Sequence, residues 1–166
     1  MHITRTGNTL HLREKGTTIN IEPDTAVAIE AATSMRIDCP GEYEVQGVTV
    51  RAYPAESGLS LLVGSNGVRL FVPSSTRMQL TEDDLQELGN FEVLCVAAES
   101  SQWETKEWKK FIEDIEPRII LFTEDGDTTE KVRKELGAEN IERTEKAEVT
   151  KGNLPTDNMR FVLLTA

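Results

Sequence analysis

Histidine and cysteine are scarce: the chain holds two of each, His2 and His11, Cys39 and Cys95. Zinc takes Cys, His and carboxylate ligands, and a three-histidine catalytic site is arithmetically impossible within one such chain. The cysteines show no CxxC spacing and form no series, which argues against a zinc knuckle or a disulfide framework. Both read as packing residues, Cys39 after a charged segment and Cys95 inside an apolar one. His11 stands opposite Leu10 and Leu12 in an alternating stretch, a solvated position, so a Ser-His-Asp triad has little to stand on. No run approaches the roughly 18 apolar residues of a membrane span, and Met1-His2-Ile3-Thr4-Arg5 lacks the basic-then-apolar shape of a secretory signal. The expectation is a soluble, cytoplasmic protein with no membrane partner. Lys and Arg number 18 against 29 Asp and Glu, a net charge of −11, and no basic stripe is present. Phosphate backbones repel such a surface, which excludes nucleic acid as the expected partner. G-x-S-x-G and P-loop motifs are absent, as are internal repeats and low-complexity tracts.

What is there is ordinary for a packed domain. Hydrophobic residues make up 38% of 166, and the 11 glycines bring the apolar share near the globular range. Length and the lack of a linker predict one domain over residues 1–166. The acid is uneven: residues 1–81 carry seven basic and eight acidic side chains, residues 82–148 nine and twenty, and the tail two and one.

Residues 10–13 and 18–22 alternate apolar and polar around Glu14-Lys15-Gly16, the pattern of a hairpin with one apolar face. Ala26 to Ala32 fits either a strand or a short helix, and Met35 to Asp38 returns to alternation before Cys39-Pro40-Gly41. Tyr43 and Val45 change phase with Val48 and Val50 at Gln46-Gly47, which implies a tight turn or a bulge. Leu59–Val63 and Val68–Val72 flank Gly64-Ser65-Asn66-Gly67, a strong hairpin signal because Asn-Gly accepts positive φ cheaply. Beyond residue 80 the period changes. Thr81 with Asp84 predicts a capped helix stapled by Leu80 and Leu85 and closed by Gly89; Ser101 with Glu104 predicts a second, carrying Trp108, Phe111, Ile112 and Ile115 up to Pro117. Asp127 with Glu130 predicts a third, closed by Gly137. The apolar runs 93–97 and 119–122 read as strands buried on both faces, and 161–164 as a terminal strand after a polar loop at 153–158. An antiparallel half followed by a βαβα half predicts two sheets packed face to face, with helices mainly on the second.

Chemistry rests on few residues. Ser74-Ser75-Thr76 follows a strand, where hydroxyls turn the chain or cap helices more readily than they attack. Glu99, Glu124 and Asp125 each follow a buried strand at the end where α/β sheets place ligands. If convergent, they suit Mg²⁺ or Ca²⁺ or an acid/base pair; if not, they are loop acids of an acidic protein.

The string Cys39-Pro40-Gly41-Glu42-Tyr43-Glu44-Val45-Gln46-Gly47-Val48 resembles the metallo-β-lactamase-fold hydrolases, specifically a small family of metal-dependent hydrolases in which P-G-E-Y-E-V-x-G-V recurs. The likeness extends to Ile3–Pro23 as the opening hairpin, to Gly67–Leu70 with Leu80–Gly89 as the central strand and helix, and to Glu116–Ile120 as the late strand. It implies an α/β (α+β) two-sheet sandwich, truncated from the four-layer form of that family. The family's H-x-H-x-D-H metal loop belongs between Pro23 and Met35, where this chain has no histidine. Asn8 stands where the family has a glycine-adjacent histidine, Ser75 near its bridging aspartate, and Glu124 where its last histidine ligand follows the late strand.

The resemblance therefore implies the fold while its ligand pattern contradicts the zinc chemistry. The expectation is a degenerate, metal-free, non-catalytic protein, a pseudoenzyme that binds an unidentified protein or small molecule and carries no cofactor. The residual site is Glu99, Glu124, Asp125 and Ser75. The alternative is a metal-dependent hydrolase, with either a non-standard carboxylate site or a ligand loop supplied by another chain. If the acids crowd together without a cation, neutralising Glu124 is expected to leave stability unchanged or improved.

Overall fold

The computed structural model describes residues 1–22, 27–30, 34–79 and 81–166. Among these residues the first sheet has six antiparallel strands. Strands β1 (His2–Thr6), β2 (Thr9–Glu14), β3 (Thr17–Ile21), β4 (Val27–Glu30) and β5 (Met35–Ile37) follow in chain order, and β13 (Lys146–Glu148) pairs with β1 on the other side. The ambiguous stretch from Ala26 thus contains a strand at Val27–Glu30; its flanks lie outside the described residues.

The second sheet has eight strands. Strands β6 (Gly41–Val45), β7 (Val48–Pro54), β8 (Leu59–Ser65) and β9 (Val68–Val72) form an antiparallel meander. From β9 onward the sheet is parallel, through β10 (Val93–Val96), β11 (Ile119–Phe122), β14 (Arg160–Leu164) and β12 (Glu142–Thr144). Tight hairpins suit the first half because Lys15-Gly16, Gln46-Gly47 and Asn66-Gly67 all take positive φ at both central positions. That is the two-residue turn whose twist matches the strands it joins. The phase change at Gln46-Gly47 is therefore a turn and not a bulge.

Among the described residues three α-helices pack on the second sheet: α1 (Glu82–Leu88), α2 (Thr105–Ile115) and α3 (Asp127–Glu135). Strand alternation divides the core in two. Val93, Cys95, Ile119, Leu121, Val162 and Leu164 face the first sheet and meet Ile3, Leu12, Ile19 and Ile37. Their neighbours Leu94, Val96, Ile120, Phe122 and Leu163 face the helices and meet Leu88, Trp108, Ile112 and Val132. This double burial is why the strands read as unbroken apolar runs. Among the described residues the outer face of the first sheet carries no helix, as its polar positions predict; His11 lies there, its Nδ1 2.6 Å from Asn20 Oδ1. No helix of the described residues is long and apolar enough to cross a membrane.

Several local expectations change. Thr81 and Asp84 form the expected capping box and Gly89 the C-cap, but Leu85 is half exposed, and Leu80 lies outside the described residues. The cap of α2 is Glu104 with Glu107, because the Ser101 hydroxyl is engaged by the Trp103 N–H and the Ser75 carbonyl, and the helix starts later. The N-cap of α3 is Gly126, with Asp127 already helical; its capping carboxylate comes from another loop, described below. Gly137 follows the α3 C-cap in the left-handed conformation, as expected. Cys39 is exposed at the corner between β5 and β6, its Sγ donating to Asp38 Oδ1 at 3.4 Å, and only Cys95 packs in the core. The charged segment holding β12 and β13 shows no alternation in sequence, since only Ala147 of it turns into the core.

Candidate functional site

At the C-terminal ends of β9, β10 and β11 the loops beginning at Pro73, Ala97 and Thr123 form one wall of a cleft, and β1, the β1–β2 turn and β3 form the other. The cavity measures about 60 Å³. It lies between the two sheets, at the strand ends where parallel sheets place their ligands. Its floor is the end of the intersheet core: Leu10, Ile21, Leu59, Val72 and Cys95. Burial pushes the Cys95 thiol far up, so it stays protonated and unreactive.

The rim is polar. Asn8, Ser75 and Glu124, three positions drawn from separate parts of the chain, all reach it. Ser74 is buried within a knot of hydroxyls: its Oγ donates to the Ser57 carbonyl at 2.8 Å, and its N–H donates to Ser60 Oγ at 2.9 Å. The Thr76 hydroxyl also donates to the Ser57 carbonyl, at 2.9 Å. The Ser75 carbonyl accepts the Gln102 N–H at 2.7 Å, tying the β9 loop to the β10 loop. These hydroxyls fix the shape of the wall, the role expected of serines following a strand.

The acids do not form a common cage. Glu124 Oε2 accepts the backbone N–H groups of Glu99 at 2.8 Å and Ser100 at 3.0 Å. Glu99 turns away from the cleft, and its Oε1 accepts the Thr129 N–H at 2.7 Å, serving α3 as a cap from outside the helix. Burial pushes the Glu99 carboxyl upward, but the Thr129 N–H that it accepts, together with the backbone and hydroxyl of Thr128 beside it, outweighs this and holds it below the ordinary glutamate value. Asp125 points to another neighbour, accepting from Arg143 Nη1 at 2.8 Å. Of the four residual-site residues, Ser75 and Glu124 line the cleft and Glu99 and Asp125 do not.

Arg5 was not among the sequence candidates. It continues the inward-facing series of β1 after Ile3, and its Nε donates to the Gly7 carbonyl. A charged residue in phase with buried apolar ones was the available signal. Arg5 makes no ion pair with a described residue.

The donors among the described residues of the cleft do not suit zinc. The described lining offers an amide, hydroxyls, a protonated thiol, the guanidinium of Arg5 and two carboxylates, Glu22 and Glu124, the second held through Oε2 by two N–H groups; it has neither imidazole nor thiolate, the nitrogen and sulfur ligands on which zinc sites rely. Among the described residues no three His, Cys, Asp or Glu side chains gather closely enough to hold a metal ion.

No family model and no curated protein matches the chain. Among solved structures it is similar to one described as a "putative zn-dependent hydrolase of the metallo-beta-lactamase superfamily" from Thermotoga maritima. The TM-score is 0.69 at 19% sequence identity, over 99% of this chain and 98% of that one. A likeness of this kind is one of fold, and it extends in three dimensions the resemblance carried in sequence by Pro40–Val48. The chain is an α+β two-sheet sandwich with the metallo-β-lactamase-type fold.

Proposed function

We propose that the chain is a metal-free, non-catalytic binding module in which the cleft of a hydrolase-type fold has been kept while its ligand chemistry has been replaced. The observation that supports this reading most is Glu124. It follows β11 where the resemblance assigns the last histidine ligand, and two main-chain N–H groups hold its Oε2. A carboxylate held through Oε2 in this way serves to close a loop and keeps one oxygen, Oε1, for a ligand, too few for an ion without further donors. Asn8 and Ser75, at two further ligand positions of the resemblance, are weak donors for zinc. The apolar floor and polar rim are the ordinary construction of a small-molecule pocket.

Elemental analysis of the purified protein, with thermal unfolding in Zn²⁺, Mn²⁺, Mg²⁺, Ca²⁺ and chelator, tests the reading. The expected result is no stoichiometric metal and no cation-dependent rise in Tm, since a cation bound to the native state alone would raise it. One tightly held ion per chain, or a cation-dependent gain that disappears in Glu124→Gln, overturns the reading in favour of a carboxylate-site hydrolase.

A further inference from the structure

The cleft carries charges of both signs over an apolar floor. On the first-sheet side Arg5 presents a guanidinium whose Nε is taken by the Gly7 carbonyl and which has no carboxylate partner among the described residues, in a protein of net charge −11. On the other side Glu124 is held through Oε2 by the two N–H groups, while no hydrogen bond from a described residue reaches its Oε1. A simple anion would suit Arg5 but meet Glu124; a simple cation would suit Glu124 but meet Arg5. Both mismatches are amplified in a recess partly shielded from water. A molecule carrying both charges satisfies both walls.

Size narrows the class. A cavity of about 60 Å³ compares with the roughly 15 Å³ needed for one water, so it takes a hydrocarbon group of about four carbons. Leu10, Ile21, Leu59 and Val72 would cover that group. We propose that the cleft binds a small zwitterion with a branched apolar body, of the class of the aliphatic α-amino acids, with its carboxylate on Arg5 and its ammonium on Glu124. Arg gives a carboxylate a planar two-point fork, and Glu124 is oriented in advance by the main chain, so little ordering remains to be done on binding. This inference rests on reading the cleft as a binding site.

The probes are leucine, 4-methylpentanoate, which lacks the amine, and 3-methylbutylamine, which lacks the carboxylate. Calorimetric titration is expected to show saturable binding of leucine and about tenfold or greater weakening for each analogue, one lost charged contact being of that order. The backbone N–H resonances of Ser100 and Thr123 are expected to shift with leucine, which places it in the cleft. Arg5→Met is expected to lose leucine binding and Arg5→Lys to keep part of it; the paired variants separate recognition from a folding defect. Equal affinity for either analogue, shifts confined to another region, or no binding of leucine by a metal-free protein overturns the inference and leaves the module reading intact. Metal found in the purified protein overturns the module reading itself.

Discussion

Glu99 and Gly126 are matched by contact: a Cβ on Gly126 would lie 2.6 Å from Glu99 Cδ and 2.7 Å from its Oε1. Gly126 has extended backbone, with φ at −164°, so the residue is small for reasons of space and not of torsion. Its lack of a side chain lets a carboxylate from the β10 loop reach the first turn of α3. Gly126→Ala is expected to push Glu99 off the Thr129 N–H and destabilise the fold by about 1 kcal/mol, the usual value of a helix cap. In a Glu99→Ala background the same change is expected to cost little. Urea unfolding of the four proteins measures the coupling, and additive losses would show that the two residues act independently.

The Glu99 carboxyl also gives stability a pH dependence. Its folded pKa lies below the reference 4.5, because hydrogen bonds from Thr128 and Thr129 overcome the upward push of burial. The native state thus binds its proton less readily than the unfolded chain, so the contribution is complete above the unfolded pKa and is lost as pH falls through the lower folded one. Glu99→Gln is expected to be less stable than the wild type at pH 7, with the gap narrowing below about pH 4. Unfolding midpoints across pH 3–8 check this, and a gap that widens on acidification would reverse the assignment.

For Glu124 the contacts change the sign of the sequence expectation. That expectation holds if the carboxylates of Glu99, Glu124 and Asp125 crowd together, yet Glu124 Oε2 meets two N–H donors, the Glu99 carboxylate is directed to α3 and Asp125 pairs with Arg143. Glu124→Ala is expected to lose about 1–3 kcal/mol by leaving those N–H groups without their acceptor. Glu124→Gln, which keeps an acceptor oxygen, is expected to lose less. Thermal unfolding decides; an unchanged or raised Tm in the alanine variant would restore the repulsion argument.

The two thiols differ in access. Cys39 is exposed and Cys95 buried, so one equivalent is expected to react with a disulfide reagent in the native protein and two after denaturation. Cys39 is also held above its ordinary pKa, first by a hydrogen bond to Asp38 and then by that carboxylate's charge. Asp38→Asn is therefore expected to speed its native reaction at pH 8, since the thiolate is the nucleophile. Stopped-flow kinetics measure the change.

Much of the fold is legible in sequence because its causes are local. Alternation at Leu10–Leu12 and Ile19–Ile21 requires a sheet with one apolar face, Asn66-Gly67 requires a tight turn, and the Thr81–Asp84 pair closes on itself within one helical turn. The same locality misled where two nearby residues offered a plausible cap and a distant one supplied it. Ser101 and Glu104 have capping spacing, but Ser101 is drawn to the Ser75 loop; Asp127 and Glu130 have it too, but Glu99, thirty residues before Thr129, reaches the helix instead. The pairing of β13 with β1 has no local signal, because charged edge residues obtain their partner from sheet order and not from an apolar pattern. The cleft is of the same kind. The resemblance names Asn8, Ser75 and Glu124 one at a time, while their meeting, and the presence of Arg5 in the same lining, follow from the packing of the two sheets against each other. Sequence determined which faces are apolar and which turns are tight; only the packing of the sheets decided which loops share a recess, because that depends on contacts between residues the chain itself holds far apart.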